Sequence, residues 1–265
     1  MLRWHRVLAL CSRHAYLYRR SPFRIAELVY WPFLDLVLWG FLSVWLHRIG
    51  PGDTANFVAL LLGGLILWDL LFRAQQGVSL AYLEEVWSRN LLNLFVTPLT
   101  VTEFLLATMT VSLVKLAFSV SVMACLAWAL YGFNLLSLGL ALVPFVAILT
   151  IFGWALGTVT TALVLRFGQG AESLAWVLAF VVQPIACVFY PVSTLPGWLQ
   201  PVALALPAAH VFEGMRAVIA HEAFPWHHLA TAAGLDLLFV AAAGGFFHLT
   251  FKLALTRGLL AKTGE

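Results

Sequence analysis

Charge is what this chain has least of. Asp, Glu, Lys and Arg make up 10% of its 265 residues, whereas hydrophobic residues make up 62%, far from the soluble balance of about 45–50% apolar and roughly 25% charged. A soluble core cannot hide that much apolar surface, and nucleic acid is not an implied partner. Cysteine is scarce as well. Cys11, Cys125 and Cys187 stand far apart, with neither a CxxC pair nor a ligand cluster, which argues against a disulfide framework and a thiolate metal site. No Gly-x-Ser-x-Gly or His-Glu-x-x-His occurs, so an intramembrane hydrolase is a weak alternative. No phosphate loop is present either: Lys262-Thr263 lacks the glycine before the lysine and the upstream glycine spacing. Energy for any work must come from another chain or from an ion gradient. No internal repeat or low-complexity segment is visible, which weakens a carrier built from two similar halves.

What the sequence does have is long apolar runs. A bilayer core about 30 Å thick takes roughly 20 helical residues per crossing, and the runs predict an all-α membrane protein with six transmembrane helices. The expected crossings are 25–46, 55–72, 104–131, 138–165, 174–190 and 229–251. The first is too long for a signal peptide and lacks a small-x-small cleavage site, so it is read as an anchor. A short turn with Gly-Pro-Gly is expected at 47–53. Thr100 and Glu103 have capping-box spacing before the third crossing, and Pro144, Gly139, Gly153 and Gly157 interrupt the fourth.

Two segments fall outside this pattern. Residues 1–24 place Trp4, Val7, Leu8, Cys11, Ala15 and Tyr18 on one helical stripe and Arg6, Arg13 and Arg20 on another, the signature of an amphipathic interfacial helix. Residues 192–228 are apolar but broken by Pro196, Pro201, Pro207 and Pro225. That segment reads as short re-entrant helices, tolerated at membrane depth only where protein or a water cavity satisfies the backbone.

Orientation follows from counting cations. The N-terminus, the polar loop 73–103, the 166–173 connection and the tail with Lys252, Arg257 and Lys262 carry twelve of the fifteen Lys and Arg. The opposite side carries Arg48 and Arg216. Both termini are therefore expected in the cytoplasm.

The polar loop contains Glu84-Glu85-Val86-Trp87-Ser88-Arg89-Asn90, then Leu91-Leu92-Asn93-Leu94-Phe95-Val96-Thr97-Pro98-Leu99-Thr100 and Glu103. This stretch resembles the loop of type-2 ATP-binding-cassette exporter permeases: a charged start, a leucine-rich short helix, a Thr-Pro-x-Thr turn and an acidic residue opening the third crossing. Tyr190-Pro191, Leu195-Pro196-Gly197-Trp198-Leu199, Pro207, Glu213 and Arg216 resemble the segment after the fifth crossing in the same family. His210 departs from it, since an uncharged polar residue is more usual there. The two motifs stand in family order within a six-helix chain.

The resemblance implies a homodimer or paired permease in the bacterial inner membrane, a separate cytoplasmic ATPase subunit that binds ATP and Mg, and no cofactor in this chain. It implies a coupling helix at 84–98, with Glu84, Glu85, Trp87, Arg89, Leu92, Phe95 and Pro98 as ATPase-coupling residues, braced by the N-terminal helix. It also implies export of an amphipathic substrate such as a lipid, lipid-linked glycan or drug. Independently, an inward-facing loop this greasy needs cover from membrane or a partner.

Asp35, Lys115 and Asp236 fall near the middle of their crossings, where a charge costs about 2.5–3.5 kcal/mol on insertion scales. They read either as a substrate path or proton relay, the basis of an alternative ion-driven transporter, or as Lys115 pairing with one aspartate to lock helices. Locking is the favoured expectation. Glu213 and Arg216, one turn apart, suit an ion pair that clasps the re-entrant segment. His221, His227 and His228 lack carboxylate or cysteine partners at fixed spacing, so no metal site is expected. The tryptophans, including Trp31, Trp39, Trp45, Trp68, Trp87 and Trp198, are expected mainly as interfacial anchors.

Overall fold

The computed structural model describes residues 3–49 and 54–257, so the turn at 50–53 and the Lys262 end of the tail lie outside the described residues. Among the described residues the regular elements are all helical. They are α1 (Trp4–Arg20), α2 (Pro22–Ile49), α3 (Thr54–Trp87), α4 (Leu91–Val96), α5 (Val101–Tyr131), α6 (Leu142–Phe167), α7 (Leu174–Ile185), α8 (Gln200–Leu204), α9 (Pro207–Ile219) and α10 (Trp226–Thr256), with short 3-10 turns between some of them.

Local chemistry sets the boundaries. Ser21 is extended (φ −125°, ψ 96°), as a residue before proline is pushed to be, so α1 stops there and Pro22 opens α2. At the start of α5, Thr100 accepts from the Glu103 N–H while Glu103 accepts from the Thr100 N–H at 2.9 Å, completing the capping box. The other end of α5 is closed by Gly132 at φ 67°. Gly132 N–H there reaches Trp128 O, the 5→1 bond of an αL cap, and Phe133 N–H reaches Ala127 O.

Five helices, α2, α3, α5, the 135–167 unit containing α6, and α10, are long and apolar enough to cross a membrane. The central one is α3: 67% of its most apolar window is buried, against 17–22% for α2, α5 and α10. Those three keep broad apolar faces, including Phe41, Val114, Leu237 and Leu249, open to the surroundings. Helix α3 lies closest to α6. A Cβ on Gly153 would stand 2.6 Å from Leu71 O, and one on Gly157 would stand 2.6 Å from Gln75 O. These glycines do not interrupt the crossing; they let two helix backbones touch, the small-residue packing favoured in membranes. Hydroxyls buried on α6 bond back to their own helix, as in Thr158 to Trp154 O and Thr161 to Gly157 O.

Three expectations need correction. The stretch 73–103 is not a loop: α3 runs on to Trp87, with Ala74, Val78, Ala81, Tyr82 and Val86 buried and the polar Gln75 and Gln76 buried beside them, both donating to Ala175 O. The helix of the expected fifth crossing ends at Ile185 rather than 190. Pro184 cannot continue the bonding ladder, and Cys187 turns the chain at φ 55°. Trp68 is a core residue, 6% exposed within the main buried cluster, rather than an interfacial anchor.

The proline-broken region forms a 3-10 turn at Val192–Thr194, then α8 and α9. Helix α9 sits against α10, α6 and α3, with His210, Val211, Phe212 and Met215 buried. At the opposite end of the bundle a second core gathers Val7 and Leu10 of α1, Tyr82, Leu83 and Val86 of α3, Leu91 and Leu94 of α4, Phe104 of α5, Val164 and Leu165 of α6, and Ala254 of α10. The segments carrying most of the cations thus share one end of the molecule.

Candidate functional site

The turn linking α3 to α5 is fastened on several sides. Glu85, 1% exposed, accepts from both terminal nitrogens of Arg13 of α1, at 2.5 and 3.1 Å. Its Oε2 also accepts from Asn90 Nδ2 at 2.7 Å, while Asn90 N–H bonds to Glu85 O at 2.9 Å. Glu84 pairs with Arg24 of α2 at 3.0 Å. Trp87 Nε1 donates to Glu172 at 2.9 Å, tying the turn to the connection after α6. Arg6 donates to Pro98 O and pairs with Glu103, and Arg3 N–H donates to the same carboxylate at 2.9 Å.

Helix α1 therefore does not rest only on a surface. It runs alongside α5 in the same direction, with Arg3 at Glu103, Cys11 near Ala107 and Tyr18 at Lys115. Its buried face is Val7, Leu10 and His14, whereas Trp4, Leu8 and Tyr16 point outward and stay exposed. Burial lowers the pKa of the His14 imidazole, and the nearby Lys115 charge adds to the effect.

Of the residues assigned to coupling by resemblance, Glu85 is interior and Glu84 is half-buried in its ion pair. Trp87, Arg89 and Pro98 are exposed. The side chains of Leu92 and Phe95 lie outside the described residues. Leu91 and Leu94 face inward to the second core, and Val96 is 79% exposed. Arg89 adopts φ 52°, a left-handed conformation that reverses the chain between α3 and α4. Together these residues make a rigid knob with an apolar and cationic outer surface.

Asp35, Lys115 and Asp236 are not brought together, and Lys115 pairs with neither aspartate. Its ammonium sits 4.3 Å from the centre of the Tyr18 ring, because α1 covers that face of α5. Asp236 is buried on α10 with neither carboxylate oxygen hydrogen-bonded. Arg73 instead pairs with Asp69 at 2.5 Å, one turn away on α3, and its charge also acts on Asp35 of α2. Sequence reasoning misses this set because it places Arg73 in a loop; the Asp69 to Arg73 spacing of four is the signal that finds it.

In the proline-rich region, Glu213 pairs with Arg216 at 3.1 Å. The pair also grips the turn after α7: Val192 N–H donates to Glu213 at 2.7 Å, and Arg216 donates to Cys187 O at 3.0 Å. Pro196 lies in the turn before α8, and Pro207 opens α9. His210 is buried with Nε2 2.9 Å from Leu204 O, and its ring lies 5.8 Å from that of His228. Among the described residues no group of three or more His, Cys, Asp or Glu could hold a metal.

The model of the ABC-2 type transporter family matches residues 6–220. No curated protein sequence matches the chain. The matched region runs from α1 through the turn between α3 and α5 and on to the end of α9. The chain therefore belongs to the ABC-2 type transporter family, as a membrane transport subunit that is not itself catalytic.

Proposed function

We propose that this chain is the permease of an ATP-driven exporter that moves an amphipathic substrate (a lipid, lipid-linked glycan or drug) across the bacterial inner membrane. In this reading α7 with the turn after it completes a sixth crossing, and 192–219 enters the membrane from the outer side. Both termini face the cytoplasm. A second copy of the chain completes the path, and a separate ATPase subunit, which binds ATP and Mg, docks on residues 87–98. The family match supports the permease role. The observation that carries the coupling role is the fastened knob: Glu84, Glu85, Trp87 and Glu103 tie it to α2, α1, the connection after α6 and α1 again. A push on that surface reaches several elements at once, which a freely hinged loop could not transmit.

An ion-driven alternative draws on the unpartnered Asp236, but the separation of Asp35, Lys115 and Asp236 removes the relay it needs. The test is reconstitution in proteoliposomes with the cognate ATPase. Val96→Asp and Arg89→Glu change exposed side chains and are expected to abolish stimulation of ATP hydrolysis while leaving the permease folded. Full stimulation in both variants, or transport with no ATPase present, overturns the reading.

A further inference from the structure

We propose that the cavity between α1, α2 and α5 holds an anionic phospholipid of the surrounding bilayer, its headgroup phosphate on Lys115 and an acyl chain along α5. The inference needs the membrane setting but neither the ATPase nor the cargo.

The cavity has a volume of about 540 Å³, within the roughly 300–1,000 Å³ typical of ligand sites. Its walls are almost wholly apolar: Ile25 and Leu28 from α2, Val111, Val114 and Phe118 from α5, and Ala15 from α1. Ile25, Val114 and Phe118 are themselves exposed, so the mouth continues into the apolar surface of α2 and α5 that a bilayer covers. A lipid tail enters such a groove without leaving hydrocarbon.

Two polar groups make the site more than a groove. Lys115 has no ion pair or hydrogen bond among the described residues, and its ammonium rests over the face of Tyr18. His14 also lines the cavity; it is 2% exposed, and its Nδ1 has no hydrogen-bond partner. An ammonium and an imidazole N–H, both donors in apolar walls, match the oxygens of a phosphodiester.

The surrounding charges agree. Of the acidic groups acting on Lys115, Glu84 is engaged by Arg24, leaving Glu27. Arg24 of α2 stands 5.7 Å from the centre of the same Tyr18 ring, and its charge acts on Lys115, so the ammonium lies level with the charged start of α2 rather than at the expected mid-crossing depth. Basic pockets between membrane helices recognise anionic headgroups in this way. A zwitterionic lipid brings its own cation and gains less.

Native mass spectrometry of the full chain in neutral detergent tests this with three probes: palmitoyl-oleoyl phosphatidylglycerol, its phosphatidylcholine counterpart, and free palmitate. The chain is expected to retain phosphatidylglycerol roughly fivefold better than phosphatidylcholine, the gain from one lysine near a phosphate. Lys115→Gln is expected to erase the preference. Val114→Trp, at the exposed lip, is expected to reduce retention of both phospholipids while the helix content stays the same. Equal retention of the two phospholipids, a preference that survives Lys115→Gln, or unchanged retention in Val114→Trp overturns the proposal. Palmitate displacing phosphatidylglycerol at equal concentration also overturns it, by making the occupant a free acid.

Discussion

Arg13 and Glu85, separated by 72 residues, form a two-pronged ion pair that fixes the N-terminal helix to the last turn of α3. Glu85 is interior, and its second oxygen also holds Asn90 in the turn before α4. The carboxylate is thus a pivot within the chain rather than a contact offered to a partner.

Glu85→Ala leaves the Arg13 guanidinium and Asn90 amide without their acceptor. Arg13 keeps 38% of its side chain accessible, so solvent offsets part of the loss, and the expected cost to α1 docking is about 1–2 kcal/mol. Hydrogen exchange should accelerate across residues 7–14. Unchanged protection there would show that the ion pair does not hold the helix.

Docking of α1 should weaken in acid. The folded pKa of His14 lies below the ordinary 6.5, first through burial and then through Lys115. The undocked helix therefore takes up a proton before the docked one, so stability is full above about pH 6.5 and falls as pH drops from there towards the folded value. His14→Gln should flatten that dependence. Trp4 fluorescence followed from about pH 7.5 to 5 in both proteins checks it; a variant titrating like the parent assigns the effect elsewhere.

Charge exchange separates real pairs from expected ones. Asp69→Arg or Arg73→Asp alone should cost about 3–5 kcal/mol, the price of stranding a buried charge, and the double exchange should recover more than half. Lys115→Asp combined with Asp236→Lys should be no better than the two singles. Thermal unfolding of the purified variants reads both outcomes, and rescue in the second set would contradict the separation of these residues.

Two glycines should fail for different reasons. Gly153→Ala drives a methyl into Leu71 O, forcing α3 and α6 apart at about 1–3 kcal/mol. Gly132→Ala meets nothing within 4 Å, but φ 67° costs an L-residue about 1–2 kcal/mol. Adding Ala74→Gly, which removes the Cβ lying 2.7 Å from where a methyl on residue 153 would stand, should recover part of the first loss and none of the second. Equal recovery in both backgrounds would refute the steric account.

Much of the architecture was legible because apolar length and helix punctuation are local. Thr100 with Glu103 marks a helix start with no help from the rest of the chain. The family resemblance was legible in the motif around Thr97-Pro98. The continuation of α3 through 73–87 was not, because a polar helix buried by its neighbours has the composition of a loop. The fate of Lys115 was not legible either, since the partner that meets it, Tyr18, belongs to a helix far away in sequence.

The sequence by itself determined that this is a helical membrane chain, because the length of apolar runs and the residues that end them depend on residue type and order alone. Only the tertiary structure decided which charges meet. Arg13 found Glu85, Arg73 found Asp69 and Lys115 found an aromatic face, because electrostatic partners are chosen by distance across packed helices, and no spacing along the chain encodes that distance.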